Sequence, residues 1–442
     1  MTGAVLAPEQ AHIEAALVRC AGYAAAPLPD RERCSALRAA ADELLSRTDL
    51  IARLLVDEIA KPVALARSEV ERSAEVIAWS ASEWETMRTE VVPTRAAAGG
   101  EGHLVYTRRV PLGIVCAITP FNFPVGLTVH KLAPALAAGN ACIIKPSEYA
   151  PRSVQAVADA FLAAGFPAGA VEVVPGGPET VDALLASPQP GLYSFTGSAR
   201  VGQKIKAESG LRPVVLELGS NAATIVHSDA DLPRAAAALA RGAFSFAGQA
   251  CFSVQRILVH RDVAAELVNR LLEEIGALVV GDPEDPATTV GPMISEAAAV
   301  RVEDLIQDAV DRGARVLAGG TRTDALLQPT LVTDVTHDAQ LWNEEAFGPV
   351  AIVETYDTAD EAFTRANDSR YGLQSGVFTS SVDFALTALD SLHAGGVLVN
   401  ETSSWRCTPM PFGGIGESGF GREGPRHALE AMTLLKTAVM SA

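Results

Sequence analysis

Across residues 11–87 apolar side chains recur at three- and four-residue spacing, as in Leu37, Ala40 and Leu44 and again in Ile51, Leu54, Leu55 and Ile59. Polar residues fill the positions between. That period puts one apolar stripe on each of several segments, so the chain is expected to open as a set of amphipathic helices. Residues 89–109 break the pattern with Ala-Ala-Ala-Gly-Gly-Glu-Gly and end in Arg108-Arg109, and read as an extended excursion off the main body. The run 110–118 is almost continuously apolar, which suits a strand buried on both faces of a parallel sheet.

Alternation follows. Helices are predicted at 129–138, 153–164, 180–186 and 200–209, between strands at 141–144, 171–174, 191–194 and 213–217. A second alternating block begins near Ala222, with strands at 256–260, 315–318, 350–355, 375–378 and 396–400. This rhythm predicts two doubly wound, Rossmann-like α/β layers with a crevice between them. Residues 431–440 end the chain in β-type residues and are expected to pair with the 89–109 excursion or with another subunit. No internal repeat is visible.

Length and composition narrow the function. The 442 residues suggest roughly three domains; 48% hydrophobic and 20% charged residues exclude disorder for most of the chain. Thirty-five basic against 53 acidic residues, a net charge of -18, argue against nucleic acid or an anionic membrane as a partner. Six cysteines, none in a CxxC or zinc-type spacing, form no disulfide framework and predict no metal site, so a reducing, cytoplasmic location is expected. The N-terminus has no basic segment leading into an apolar core, and no signal peptide is read there. The most apolar stretch, 110–144, is interrupted by four prolines, His130 and Lys131, and cannot be a membrane span.

Several islands carry chemistry. Residues 196–202, Thr-Gly-Ser-Ala-Arg-Val-Gly, follow a strand and open a helix whose N–H groups could face a phosphate. The spacing is not GxGxxG, and alone the segment reads more readily as a helix cap. Asn122 lies in a Pro-bounded loop after a buried strand, where a turn former is the simpler reading of an Asn. Lys145 and Glu148 place a cation and a carboxylate at another strand end, and alone these too fit a solvated loop. Glu217 ends an apolar strand, where burial would raise its pKa and suit it to general-base work. Cys251, in Gly-Gln-Ala-Cys-Phe-Ser, offers a thiol among small residues that an electrophile can approach. Cys116 and Cys142 sit inside apolar strands and Cys20 and Cys34 on amphipathic helices, as core thiols do; Cys407 sits in a polar loop beside Arg406.

Taken in order, ITPFNFP, KPSE, FTGSARVG, LELGS, GQACFS, EEAFGPV, YGLQSGVF and PFGGIGESGFGREG resemble the NAD(P)-dependent aldehyde dehydrogenase superfamily, with matches from about residue 110 to 440. The 34 positions from Glu217 to Cys251 also fit that family. The resemblance implies Cys251 as nucleophile, Asn122 and the Cys251 backbone N–H as oxyanion donors, and Glu217 as the base that hydrolyses a Cys251 thioester. It implies that Lys145 and Glu148, with Ser147, meet the adenosine ribose, and that Ser198 and the helix after it, with Val201, meet the pyrophosphate. Glu345 and Phe347 would position the nicotinamide ribose and ring. Ile118, Thr119 and Phe121, then Gly177, Phe195, Gly197, Leu218 and Gly219, would line the rest. A carboxylate at Glu148 would bind ribose hydroxyls and repel a 2′-phosphate, favouring NAD over NADP.

The chain departs from the family pattern in starting late, without the N-terminal extended arm, and in having Gly416 where PFGGxK usually has Lys. His130 and Arg406 resemble residues of branches that oxidise small anionic or hydroxylated aldehydes, including lactaldehyde and phosphono- or sulfo-aldehydes. Arg108 is a third substrate candidate; a core histidine and plain surface arginines are the plainer alternatives. Within the fold, a CoA-acylating or acyl-phosphate-forming enzyme is the rival, and Glu217 argues against it. A catalytically silent structural homologue is opposed by the intact Asn122, Glu217 and Cys251; a Rossmann reductase without a covalent step, by the missing GxGxxG. The expected plan is a NAD-binding domain (1–92 and 112–219), a catalytic domain (220–418) and an oligomerisation element (93–111 and 419–442), in a homodimer or homotetramer.

Overall fold

A computed structural model describes residues 10–441; the N-terminal signal reading falls partly on residues 1–9, outside them. Four helices open the chain: α1 (Gln10–Ala25), α2 (Asp30–Ser46), α3 (Thr48–Ile59) and α4 (Val63–Glu85). Their apolar stripes do what the period predicts. Leu37, Ala40 and Leu44, then Ile51, Leu55 and Ile59, are buried, while Leu54 at the stripe's margin is half-buried.

The excursion forms β1 (Val91–Val92) and β2 (His103–Pro111), and the following apolar run is not one strand. Pro111 closes β2, Gly113 turns the chain at φ +106°, and β3 (Ile114–Ile118) starts afresh with all five residues buried. Next come α5 (Pro124–Ala137), β4 (Ala141–Lys145), α6 (Pro151–Ala163), β5 (Val171–Val173), α7 (Pro178–Ala186), β6 (Leu192–Thr196), α8 (Ala199–Glu208) and β7 (Val214–Glu217). Three of these helices begin two to five residues before the sequence pattern suggests, each with a proline in its first turn. There a proline breaks nothing, because its missing N–H is one the helix would leave unpaired.

The second block runs β8 (Ala223–Val226), α9 (Leu232–Phe244), β9 (Arg256–His260), β10 (Arg315–Ala318), a short hairpin β11 (Arg322–Thr323) and β12 (Leu326–Leu327), β13 (Thr330–Thr333), β14 (Val350–Tyr356), β15 (Gln374–Phe378) and β16 (Gly396–Val399). β17 (Gly419–Phe420) and β18 (Thr433–Ser441) end it. The strands β8 and β13 have no counterpart in the sequence reading; each is only four residues long.

Two sheets organise the molecule. One has the order β17-β7-β6-β3-β4-β5, parallel except for β17; the other has the order β10-β13-β14-β9-β8-β15-β16, parallel except for β10. Each is wrapped by its own apolar core, as a mixed α/β fold with buried parallel strands requires. The third sheet is β1-β2-β18. There the chain's last strand pairs antiparallel with β2 from Thr433 opposite Pro111 to Ser441 opposite His103. One connection matters for the site: after β16 the chain returns to the first sheet and lays β17 against β7, with Gly419 opposite Glu217.

Candidate active site

Glu217 closes β7, and the chain after it bends away under the returning 412–424 segment. Leu218 donates its N–H to the Ser418 carbonyl at 2.9 Å, and the Ser418 hydroxyl donates to the Gly219 carbonyl at 2.7 Å. A Cβ on Gly413 would lie 2.8 Å from Glu217 Oε1, so only glycine leaves that carboxyl its place. The carboxyl is buried, and neither oxygen has a hydrogen-bond partner among the described residues. Burial therefore pushes its pKa well up; the neighbouring Glu423 pushes the same way, against Lys131, Arg406 and Arg422. A buried, unpaired carboxyl at a strand end is costly for stability and is the state a general base requires.

Cys251 lies after a strained turn. Phe246, Ala247 and Gly248 all have positive φ (51°, 52° and 65°), and a Cβ on Gly248 would meet the Gly348 carbonyl at 2.1 Å. Non-glycine residues in that region cost energy and persist where the surroundings hold them. The residue is half-buried; burial raises the thiol's pKa, and Glu345 and Glu217 raise it further, so it rests as the neutral thiol. Asn122, buried after β3, donates from Nδ2 to the Gln249 carbonyl at 2.8 Å, which ties its amide to the cysteine loop, two residues before Cys251. The rings of Phe123 and Phe252 lie 5.8 Å apart beside this junction. Three residues from three separate motifs thus converge between the two sheets.

The carboxyl ends of β3, β4 and β6 bring Ile118, Thr119, Lys145 and Phe195 to one edge, where α/β sheets receive ligands. Lys145 is buried, and burial lowers its pKa while Glu148 and Glu179 act to raise it. Glu148 is exposed, and Ser147 accepts from the Tyr149 N–H at 3.3 Å. Ser198 caps α8 without using its side chain, so its hydroxyl and the helix start are open to an anion. Close approaches fix the glycines: a Cβ on Gly197 would strike the Phe195 ring at 2.5 Å, and one on Gly219 the Glu345 carboxylate at 2.6 Å. Val201 is half-buried and Leu218 buried, its methyl 2.5 Å from where a Cβ on Gly202 would sit. Phe121 stacks edge-on with Tyr149 and Phe347 at 5.9 and 6.0 Å. Glu345 accepts from the Ser220 N–H at 2.9 Å, and burial pushes its pKa up to about 7. Gly177 caps α7, its N–H bound to Glu179 at 2.8 Å. Ser198, Gly219 and Glu345 face a 420 Å³ cleft with Arg200, Arg301 and Tyr371. The free helix start, the open serine and the glycine approaches fit a dinucleotide.

The Aldehyde dehydrogenase family model matches residues 7–438. The chain belongs to that family. A 3-sulfolactaldehyde dehydrogenase from Priestia aryabhattai is 44% identical over 411 residues, 93% of this chain and 86% of the relative. A lactaldehyde dehydrogenase from Methanocaldococcus jannaschii is 38% identical, covering 94% of this chain and 89% of its own length. Among solved structures, a glyceraldehyde-3-phosphate dehydrogenase from Methanocaldococcus jannaschii, complexed with NADP, superposes with a TM-score of 0.94 at 36% identity, over 99% and 96% of the two chains. This aldehyde dehydrogenase is accordingly an aldehyde-oxidising enzyme of NAD(P).

On the other side of its cysteine, the aldehyde dehydrogenase gathers positive charge. Arg406 stacks over Phe412, 4.2 Å from the ring centroid, and its Nη2 donates to His130 Nδ1 at 3.4 Å, while its Nε is buried without a partner among the described residues. Because a guanidinium only donates, His130 must accept at Nδ1 and carry its proton on Nε2. Burial, then Arg406, Lys131 and Arg72, depress the His130 pKa, which keeps the ring neutral. Arg108 is not part of this group. It sits on β2 opposite Lys436, in a surface cleft beside Trp84 and Met87, because the excursion carries it away from the sheets. Gly416, the departure from PFGGxK, has φ +59° and a would-be Cβ 2.7 Å from the Arg370 carbonyl, so this backbone requires glycine.

Two residues of the aldehyde dehydrogenase site went unnoticed in its sequence. Lys131 on α5 is fully buried, pairs with Glu423 and donates to Thr196 Oγ1 at 2.7 Å. Glu423 Oε2 is left without a partner among the described residues, and its charge acts on Glu217. Their signal was present: a lysine inside an apolar helix and a carboxylate inside a glycine-rich turn, at positions where neither is placed without a partner.

Proposed function

We propose that this enzyme oxidises a short anionic or hydroxylated aldehyde to its acid through a thioester on Cys251. The observation that carries this reading is the convergence of a thiol, a tethered amide donor and a buried unpaired carboxyl at one point between the sheets. The thiol proton passes to the Glu217 carboxylate, and sulfur adds to the aldehyde carbon. Asn122 Nδ2 and the Cys251 N–H hold the oxyanion that results, as preorganised donors do best. NAD(P), when bound, supplies the hydride acceptor that turns this adduct into the thioester. Glu217, once it has released the thiol's proton to solvent, takes a proton from water as the water oxygen attacks the thioester, and hands that proton to the departing sulfur, which returns the thiol. The raised pKa brings the carboxyl toward the working pH, where a general base is most effective.

The cofactor would lie with its adenosine ribose against Lys145 and Glu148, its pyrophosphate on Ser198 and the start of α8, and its nicotinamide ribose near Glu345 and Phe347. Gly177, Phe195, Gly197, Val201, Leu218 and Gly219 would shape the walls. NAD is the preferred form on this reading, because Glu148 and Glu179 both set negative charge beside Lys145, where a 2′-phosphate would have to sit. Glu148→Ser is expected to raise kcat/KM with NADP relative to NAD by roughly tenfold or more. Equal use of both cofactors by the unaltered enzyme would count against the preference.

Arg406 and His130 are proposed to receive the substrate's anionic or hydroxyl group, through the free Nε–H and the Nε2–H. The names of the 44%- and 38%-identical relatives, sulfolactaldehyde and lactaldehyde dehydrogenases, support that choice. Arg406→Met is expected to raise KM for sulfolactaldehyde roughly 10- to 100-fold, the value of one or two charged hydrogen bonds, and to affect lactaldehyde less. An unchanged KM for the sulfonate would remove Arg406 from the substrate site.

Residues 1–92, of which 1–9 lie outside the described residues, with 112–219 are read as the cofactor-binding unit, 220–418 as the catalytic unit, and 93–111 with 419–442, which supply β2 and β18, as an oligomerisation element. Leu434, Leu435, Val439 and Met440 on β18 are exposed, which favours a homo-oligomer.

A further inference from the structure

Beneath the loops of Asn122 and Cys251 lies a buried ion pair that the reaction above does not use. Lys61, between α3 and α4, is fully buried, and Glu69, on α4, nearly so. The Lys61 ammonium pairs with Glu69 Oε2 and donates to the backbone carbonyl of Asn122 at 2.7 Å. Glu69 Oε1 accepts from the N–H groups of Val125 and Gly126, both at 2.9 Å. Those are donors that the start of α5 would otherwise leave unpaired, and a carboxylate there also answers the helix dipole. The same ammonium lies 3.8 Å from the Phe123 ring centroid and 4.5 Å from that of Phe246. Phe123 and Phe246 meet edge to face at 6.1 Å. One cation therefore touches the Asn122 turn through a carbonyl and a ring, and the cysteine loop through the ring of a residue held at φ 51°.

A buried pair of this kind adds little to stability over apolar residues of the same volume. What it does supply is direction. Hydrophobic packing would fill the space without fixing the rotation of the Asn122 peptide, whereas the Lys61 bond to its carbonyl and the two Glu69 bonds to the helix start do fix it. An oxyanion donor displaced by about 1 Å forfeits much of its effect, on the order of 10²-fold in rate.

We propose that Lys61 and Glu69 are positioning residues that set the Asn122 amide at the oxyanion position. The inference rests on the reading of Asn122 as an oxyanion donor, and the experiment separates the two. It is a double-mutant cycle on kcat with Lys61→Met, Asn122→Ala and the combination, alongside NADH binding and the rate of Cys251 alkylation by iodoacetamide, a displacement that forms no oxyanion. Asn122→Ala should lower kcat by roughly 10²- to 10³-fold. Lys61→Met should lower it by roughly 10- to 100-fold with NADH binding and alkylation retained. In the Asn122→Ala background the Lys61 substitution should cost almost nothing more, because the group it positions is gone.

A full additional loss in that background, or wild-type kcat in Lys61→Met, overturns the positioning role while leaving Asn122 as donor. Wild-type kcat in Asn122→Ala overturns the reading of Asn122 itself. If Lys61→Met does not fold, the uncharged pair Lys61→Met with Glu69→Gln takes its place in the cycle, since the amide oxygen introduced by the second substitution can still accept from Val125 and Gly126 and neither charge is stranded.

Discussion

Replacing Cys251 by Ala is expected to abolish aldehyde-dependent NAD(P)H formation, by at least about 10⁴-fold in kcat, with cofactor affinity unchanged. The size follows from what remains. Without sulfur no adduct forms, so the donors at Asn122 and the base at Glu217 have nothing to act on. The cleft proposed to hold the cofactor, whose walls include Ser198, Gly219 and Glu345, does not include the thiol, and NADH should still bind. Cys251→Ser should be nearly as inactive, because a hydroxyl in the same buried site is far harder to ionise than a thiol whose pKa is itself raised by burial. The other five cysteines should not rescue either variant. Cys20, Cys34, Cys116 and Cys142 are buried, and Cys407 lies in the substrate-side loop. Steady-state NADH formation and a fluorescence titration with NADH check both halves.

Glu217→Gln is the second large effect, and its form is more telling than its size. Steady-state kcat should fall by roughly 10²- to 10⁴-fold, the usual worth of general-base help, because the thioester is no longer hydrolysed. With the thiol's proton left to solvent, one equivalent of NADH per chain should still appear as a burst, slower than in wild type because burial holds the thiol's pKa up. The pH dependence follows from the direction of the shift. Burial first, and Glu423 second, hold the carboxyl neutral above its ordinary range, so wild-type kcat should rise as pH climbs through the raised pKa, and the variant should lack that limb. Stability runs the opposite way. A carboxyl whose folded pKa is raised adds stability that is complete below its unfolded pKa and lost as pH rises through the folded one. Glu217→Gln should therefore melt no lower than wild type at alkaline pH. Parallel pH profiles of kcat and melting temperature for the two enzymes give the check.

The candidate centre was legible in the sequence because each of its parts sits in a short contiguous motif whose spelling carries its geometry: a glycine turn before Cys251, a strand end at Glu217, a Pro-bounded loop at Asn122. The layers were legible for a different reason, since buried parallel strands and amphipathic helices leave different periods. What the sequence hid are relationships between distant positions. Lys131 and Glu423 are partners across 292 positions, and Lys61 meets Asn122 across 61. Only the folded sheets bring them within reach. The same applies to Arg108, which shares its charge with Arg406 and is carried off by β2. Short strands such as β8, and helix starts at a proline, were lost because their local signal is that of a turn. Gly416 became intelligible only with its backbone angle and the Arg370 carbonyl in view.

The central claim is the covalent route: Cys251 carries the acyl group and Glu217 releases it. It is tested most directly by mixing the Glu217→Gln enzyme with lactaldehyde and NAD, quenching in acid after the NADH burst, and measuring the mass of the chain and of its Cys251 peptide. The account predicts one lactoyl group per chain, on Cys251, in proportion to the NADH formed. NADH produced with an unmodified Cys251 peptide, or with the acyl group on another residue, would contradict it.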